Sequence, residues 1–353
     1  MGCAINVTAQ PITVKSLGLK APATISCTPV KDQYLSATCW SFSSVSFLES
    51  EFMKKTGQRI DLSEMFIARY SMLRKIKKHL AVKGSNFFTP GGQFHDAVWV
   101  ISNYGIVPEA VYNGKARGET NHDHGEMDTL IAHFVNDCVS KGITVMDKKQ
   151  EGFIDSVLDH YYGKIPASFY YKGTKYSPLD FSRSVLGFKP GDYVEITSYT
   201  HHPFYKQFVF EDKYNWSGDL YWNVPLADFT AITQQALKDG YTVGWDGDAQ
   251  DSDFDFNEAL AYLSFPVNDF TKERQTAFED ESTLLDHMMH IAGMVKDNQQ
   301  RTWYYIKNSW GDYSNPLGGF LFMRDDYFKL RTSAIIVNKK TIPLAIKKKM
   351  GLK

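Results

Sequence analysis

Apolar residues recur at helical spacing through the first half of the chain. Phe42, Val45, Leu48 and Phe52, separated by three, three and four positions, mark one face of an amphipathic helix that starts near Cys39 and ends near Gly57. Asp61-Leu62-Ser63-Glu64 supplies a cap and an early acid for a second helix through Met65, Met72, Leu73, Ile76 and Leu80. Its basic residues Arg74, Lys75, Lys77 and Lys78 read as a solvated outer face. A third helix follows Gly91-Gly92-Gln93, with Phe94, Val98 and Ile101 on one side and Gly105 as C-cap. Between residues 126 and 163, Met127, Leu130, Ile131 and Phe134, then Phe153, Ile154, Val157, Leu158 and Tyr161, predict two more helices, with Cys138 on a core face. After about residue 190 the pattern changes. Tyr193–Thr197, Phe208–Phe210, Tyr241–Trp245 and Asp286–Val295 read as strands, with one helix over 225–239 closed by Gly240. An α+β chain is predicted, helices first and sheet second.

With 353 residues, 43% apolar and 14% aromatic, the chain can bury the core of one or two domains. A net charge of −1 gives no reason to expect nucleic acid or an acidic membrane as partner. No apolar run approaches the ~18 residues of a membrane span. Cys3, Cys27, Cys39 and Cys138 lie too far apart for a zinc site or a disulfide framework, so a reduced chain is expected. Residues 1–10 lack the basic and apolar regions of a complete signal peptide, although they permit the remnant of one, and with it export. His122 and His124, two positions apart, would point away from each other on a helix, which argues against a metal there. His201 and His202 read as exposed loop histidines.

Cys39 carries the chemistry that most needs explaining. In the first turn of a helix, unpaired N–H groups and the positive end of the dipole favour an anion, which predicts a lowered thiol pKa. Gln33, six positions earlier, can turn its amide toward the oxygen of an attacked carbonyl, beside the Cys39 N–H. Read alone, Cys39 fits a small buried core residue equally well. Gly91-Gly92 supplies either turn dihedrals or close approach to a ligand. His287 and His290, three apart on a strand, face opposite sides, so only one shares an active face. Asn308 can accept from an imidazole N–H while Trp310 shields that bond, or it can be an ordinary turn residue.

Thr28-Pro29-Val30-Lys31-Asp32-Gln33 followed by Cys39-Trp40-Ser41-Phe42 resembles the nucleophile segment of papain-like cysteine peptidases. Leu62-Ser63-Glu64, Gly91-Gly92-Gln93-Phe94, Tyr104-Gly105-Ile106-Val107-Pro108 and Asn308-Ser309-Trp310-Gly311 are similar to that family in the same order. Ser36-Ala37-Thr38 replaces the usual Cys-Gly-Ser or Cys-Gly-Ala, so a disulfide cysteine is missing. That departure points to the bleomycin hydrolase and aminopeptidase C branch, and the resemblance spans roughly Thr28 to Pro343.

The resemblance implies a papain-like two-domain fold with the active-site cleft between the domains. A leader would cover 1–20, a helical domain with Cys39 21–190, an antiparallel, barrel-like β domain with His287 and Asn308 191–343, and a tail 344–353. Cys39 would be the nucleophile, His287 the general base and acid, Asn308 its orienter, and Gln33 an oxyanion donor. His290 would be a packed or edge histidine. Gly91, Gly92, Gly244, Trp245 and Trp310 would contact substrate. The implied activity is that of an aminopeptidase acting on peptides through a thioester, with no cofactor or metal. A papain-like endopeptidase and a non-catalytic binding relative are the alternatives, the complete Gln33, Cys39, His287 and Asn308 set arguing against the second. A transglutaminase-like transferase would place an Asp third. Family likeness further implies hexameric rings, a cytoplasmic setting, and a tail that enters the cleft and offers its carboxylate to the substrate ammonium.

Overall fold

A computed structural model of the chain describes residues 12–23 and 27–352. Cys3 and the signal-remnant reading of residues 1–10 lie outside the described residues, as does Lys353. The helical half comprises α1 (Cys39–Thr56), α2 (Glu64–Ala81), α3 (Phe94–Tyr104), α4 (Gly125–Ser140) and α5 (Lys148–Tyr162). A small hairpin, β1 (Phe169–Tyr171) and β2 (Thr174–Tyr176), and the single turn α6 (Pro178–Asp180) lead into the second half. There the strands are β3 (Tyr193–Thr197), β4 (Lys206–Val209), β5 (Leu220–Asn223), β6 (Val243–Gly247), β7 (Phe254–Asp255), β8 (Leu260–Ala261), β9 (His287–Lys296), β10 (Thr302–Lys307), β11 (Phe320–Arg324) and β12 (Thr332–Asn338). The helices α7 (Leu226–Lys238), α8 (Phe270–Glu279), α9 (Asp325–Arg331) and α10 (Leu344–Met350) complete the chain.

The predicted helices end where capping chemistry ends them. Ser63 accepts the Phe66 N–H at the start of α2, and Gly57 closes α1 in a left-handed conformation that a side chain would strain. α1 differs from its prediction in one respect. It is buried on both faces, because its serines bond inward: Ser41 Oγ donates to the Glu64 carbonyl at 2.7 Å and Ser43 Oγ to the Met289 carbonyl at 2.6 Å. Small hydroxyls thus bring the sheet close to the helix, and each serine hydroxyl of α1 that faces inward is hydrogen-bonded. α2 differs as well. Lys75 is buried, not solvated, and Arg74 pairs with Asp96 and lies over the Trp99 ring.

The sheet has ten strands in the order β4-β5-β3-β12-β6-β9-β10-β11-β8-β7. It is antiparallel except for the pairs β3/β5 and β8/β11. β4 and β7 end the sheet and do not pair with each other, so it is open, not the expected barrel-like closure. Strand alternation gives the sheet two apolar faces. Met288 and Ile336 pack into the cluster built by α1–α5, whereas Met289, Ile291, Ile335 and Val337 pack into a second cluster beneath α7, α9 and α10. The architecture is therefore a mixed α+β fold with helices on both faces of one sheet. α1 runs against β9 and β6, which brings its N-terminus to the edge where β9 begins.

The tail lies away from the cleft. α10 buries Ile346 and Met350 in the second cluster, and Lys349 Nζ donates to Tyr205 Oη at 3.1 Å and sits 3.6 Å from Asp228. No residue of 344–352 lines the cleft at Cys39. The expectation that the tail enters the cleft is thus overturned for the described residues, because two apolar side chains four apart gain more by docking on the sheet as a helix than by extending through a polar groove. Truncating Met350 to alanine should lower unfolding free energy by about 2–4 kcal/mol in a denaturant titration. The same variant should leave the preference between free and blocked substrate N-termini unchanged, and a changed preference would restore the tail to the site.

Candidate active site

Cys39 is the first residue of α1, with Thr38 as N-cap. The carbonyl of Thr38 takes the N–H groups of Ser41 and Phe42, which leaves the Cys39 N–H directed outward. β9 brings His287 to the same place from the other half of the chain, and Cys39, His287 and Gln33 line one cleft of about 190 Å³. His287 Nε2 and Asn308 Oδ1 are 2.7 Å apart. Asn308 Oδ1 also accepts the Ser309 N–H at 2.8 Å, so it is the acceptor oxygen and Nε2 carries the proton. Nδ1 then keeps its lone pair. The Trp310 ring lies over the imidazole, centroids 4.7 Å apart, and screens the His287–Asn308 bond without lining the cleft.

Gln33 is fixed by Ser309, the second residue of the Asn308-Ser309-Trp310-Gly311 motif. Its N–H donates to the Ser309 carbonyl at 2.8 Å, and its Oε1 accepts the Ser309 hydroxyl at 2.7 Å. The side-chain Nε2 is left free to donate toward the cleft. An Asp32–Trp310 bridge and the Gly311 N–H on the Lys31 carbonyl at 3.1 Å strap this segment to the one carrying Asn308. Gln33 and Asn308 therefore share one hydrogen-bonded support.

Burial dominates the electrostatics. It pushes the Cys39 thiol up to about 12, although the N–H groups of Met288 and Trp40 pull the other way, and the charge of Asp246 adds to the rise. It also pushes His287 down to about 4 against the opposing bond from Asn308. The thiol is thus not lowered by its helix terminus alone, as the sequence suggested, since desolvation outweighs the terminal N–H groups. Each group alone is held neutral. Were a proton to pass from Sγ to Nδ1, each new charge would be the other's counter-ion.

Gly91 and Gly92 also line the cleft. Neither has a positive φ; both are glycines for space. A Cβ on Gly92 would stand 2.9 Å from the Trp40 ring, and one on Gly91 2.6 Å from the ring of Tyr214. Beneath them, Trp40 Nε1 donates to the Pro90 carbonyl at 3.0 Å, and Lys75 Nζ donates to the carbonyls of Thr89, Pro90 and Gly91. Burial pulls the Lys75 ammonium down to about 8. A lysine on the apolar side of α2 was the available signal for this role.

Gly244 and Trp245 do not reach the cleft. Gly244 makes room for Phe94, whose ring lies 2.4 Å from where its Cβ would be, and Trp245 is fully buried with Nε1 donating to Thr332 Oγ1 at 2.7 Å. The next residue on β6, Asp246, lines the cleft instead, as pleat parity requires. His290 faces α1, its Nδ1 2.9 Å from Ser46 Oγ, and lies apart from the cleft as expected. His122 and His124 pack against Phe42 and Tyr162.

The Peptidase C1-like family matches residues 161–352, and the Papain family cysteine protease description matches residues 15–156. Aminopeptidase E of Lactobacillus helveticus is 27% identical over 88% of this chain and 81% of its own length. Bleomycin hydrolase of Mus musculus is 22% identical over 89% of this chain and 81% of its own. The crystal structure of PepW from Lactobacillus rhamnosis superposes with a TM-score of 0.70 at 17% identity, covering 94% of this chain and 85% of that one, a likeness of fold. The chain therefore belongs to the Peptidase C1-like family and is a papain-like cysteine peptidase.

Proposed function

We propose that this peptidase is an aminopeptidase that removes N-terminal residues through a thioester on Cys39. The observation that carries the reading is the meeting in one cleft of Cys39, the His287–Asn308 pair and the free amide of Gln33. The names of the most similar relatives supply the aminopeptidase half. His287 Nδ1 takes the Sγ proton as sulfur bonds to the scissile carbonyl carbon, and the carbonyl oxygen becomes an oxyanion held by Gln33 Nε2 and the Cys39 N–H. Collapse breaks the C–N bond, and the Nδ1 proton leaves on the departing amine. Water, deprotonated by Nδ1, then attacks the thioester and releases the acyl group and the thiol. Gly92 supports this reading too, since its own N–H and C=O have no partner among the described residues and are free to meet a substrate backbone. The helical and sheet halves act as two lobes, divided near residue 190. A hexameric ring belongs to the same reading and rests on family resemblance alone.

The test is the hydrolysis of aminoacyl anilides with a free amine beside their N-acetylated counterparts. The free-amine series should turn over at least about tenfold faster in kcat/KM. Preferential cleavage of internal bonds in N-blocked peptides would favour an endopeptidase instead.

A further inference from the structure

The end of the cleft beyond Gly91 is closed from within the chain. The loop between β4 and β5 lays the Tyr214 ring on Gly91, where Phe87 meets it edge-on at 5.7 Å. Trp216 anchors the loop by donating from Nε1 to Asp96 Oδ2 at 2.9 Å. A substrate strand running in this direction meets a wall.

Three carboxylates stand at that closed end, and two are satisfied by the chain itself. Asp212 accepts from Gln93 Nε2 at 2.5 Å and from the Tyr214 N–H at 2.8 Å. Asp286 accepts from the Ala249 N–H at 3.0 Å and from Gln250 Nε2 at 2.9 Å. Asp246 is different. It is 2% exposed, it lines the cleft, and its Oδ2 has no hydrogen-bond partner. Gln93, also cleft-lining and buried, has its Oε1 without a partner as well. Two buried acceptors without donors are costly to leave unmet. Neither can be relieved by an anion or a further acceptor. What is missing is a group rich in N–H donors and positively charged.

We infer that Asp246, with Gln93 beside it, is the seat of a substrate's primary ammonium, behind the wall formed by Tyr214. This rests on the peptidase reading above and places recognition of a free N-terminus on a side chain of β6, residues 344–352 not lining the cleft. Asp246 and Cys39 line the same cleft, so one short N-terminal stub can reach from seat to nucleophile. Burial and the charge of Asp212 raise the Asp246 carboxyl well above the carboxylate range, although the neighbouring Ser333 and Gln93 side chains pull the other way. An arriving ammonium removes that penalty by supplying the counter-charge.

A free α-amine and a lysine side chain share this chemistry, and the substrates separate them. Asp246→Asn should cut kcat/KM for alanyl anilide on the order of 10- to 100-fold, mainly through KM, while N-acetyl-alanyl anilide changes little. A comparable loss confined to N-acetyl-lysyl substrates would assign the seat to a side chain and overturn the terminal-amine inference. Tyr214→Ala provides a second variant. By opening the wall it should raise turnover of N-acetylated peptides extended upstream, and no gain would contradict a closed end. The thermal midpoint serves as a control, expected to stay near wild type in Asp246→Asn. Unchanged kinetics of an active Asp246→Asn enzyme would end this inference alone, whereas a wild-type enzyme that hydrolyses no anilide would end the aminopeptidase reading itself.

Discussion

Replacing Cys39 by alanine should lower amide hydrolysis by at least about 10⁴-fold while the protein stays folded. The proposed route needs a bond to sulfur, and among the described residues no other thiol is at hand: Cys27 and Cys138 are buried and do not line the cleft. The fold should survive because alanine keeps the residue's place in α1, where it is only partly buried against the helical cluster. Anilide turnover and a thermal melt on the same preparation separate the two effects. More than a trace of residual activity would remove Cys39 from the mechanism.

The second large effect is expected for His287→Ala, and its pH dependence follows from the thiol. Without the imidazole, Cys39 titrates alone at about 12, its pKa raised by burial. Below that value the thiol holds its proton, so near pH 7 only about one molecule in 10⁵ carries the thiolate. Alkylation by iodoacetamide should therefore be slow in the variant at neutral pH and climb about tenfold per pH unit toward alkaline solution. Wild-type Cys39 should react readily at neutral pH, since the proton has a place to go. Alkylation of the variant as fast as wild type at pH 7 would mean that His287 does not take the Sγ proton. Asn308→Ala should cost less, about 10²-fold in turnover, because it orients the ring and transfers nothing.

The parts of the site legible in the sequence were those whose chemistry demands a residue type at a fixed place. Cys39 had to open a helix, His287 had to begin a strand, and Asn308 had to stand beside an indole; each sits so in the fold. The seat at Asp246 was not legible because a strand's two faces differ by one position. The strand expected over Tyr241–Trp245 lies two residues later, at Val243–Gly247, and its pleat turns Trp245 into the second apolar cluster and Asp246 into the cleft. The basic stretch of α2 hid Lys75 for a similar reason, since charge suggests solvent while helical phase carries that one lysine inward. Tyr214 comes from a segment remote in sequence, and no local pattern signals that its ring will lie on Gly91. The tail carried a readable sign, the four-residue spacing of Ile346 and Met350, outweighed by the run of lysines between them. Sheet closure was beyond local pattern altogether, because it depends on whether β4 and β7, the last strands at each edge, meet.

Intact mass after treatment with an epoxide directed at active-site thiols tests the central claim most directly, that Cys39 is a nucleophile activated by His287. One adduct per chain is expected in the wild type, mapped to Cys39 by peptide analysis, absent in Cys39→Ala and strongly slowed in His287→Ala at neutral pH. No adduct on the wild type, or an adduct that persists when Cys39 is replaced, would contradict it.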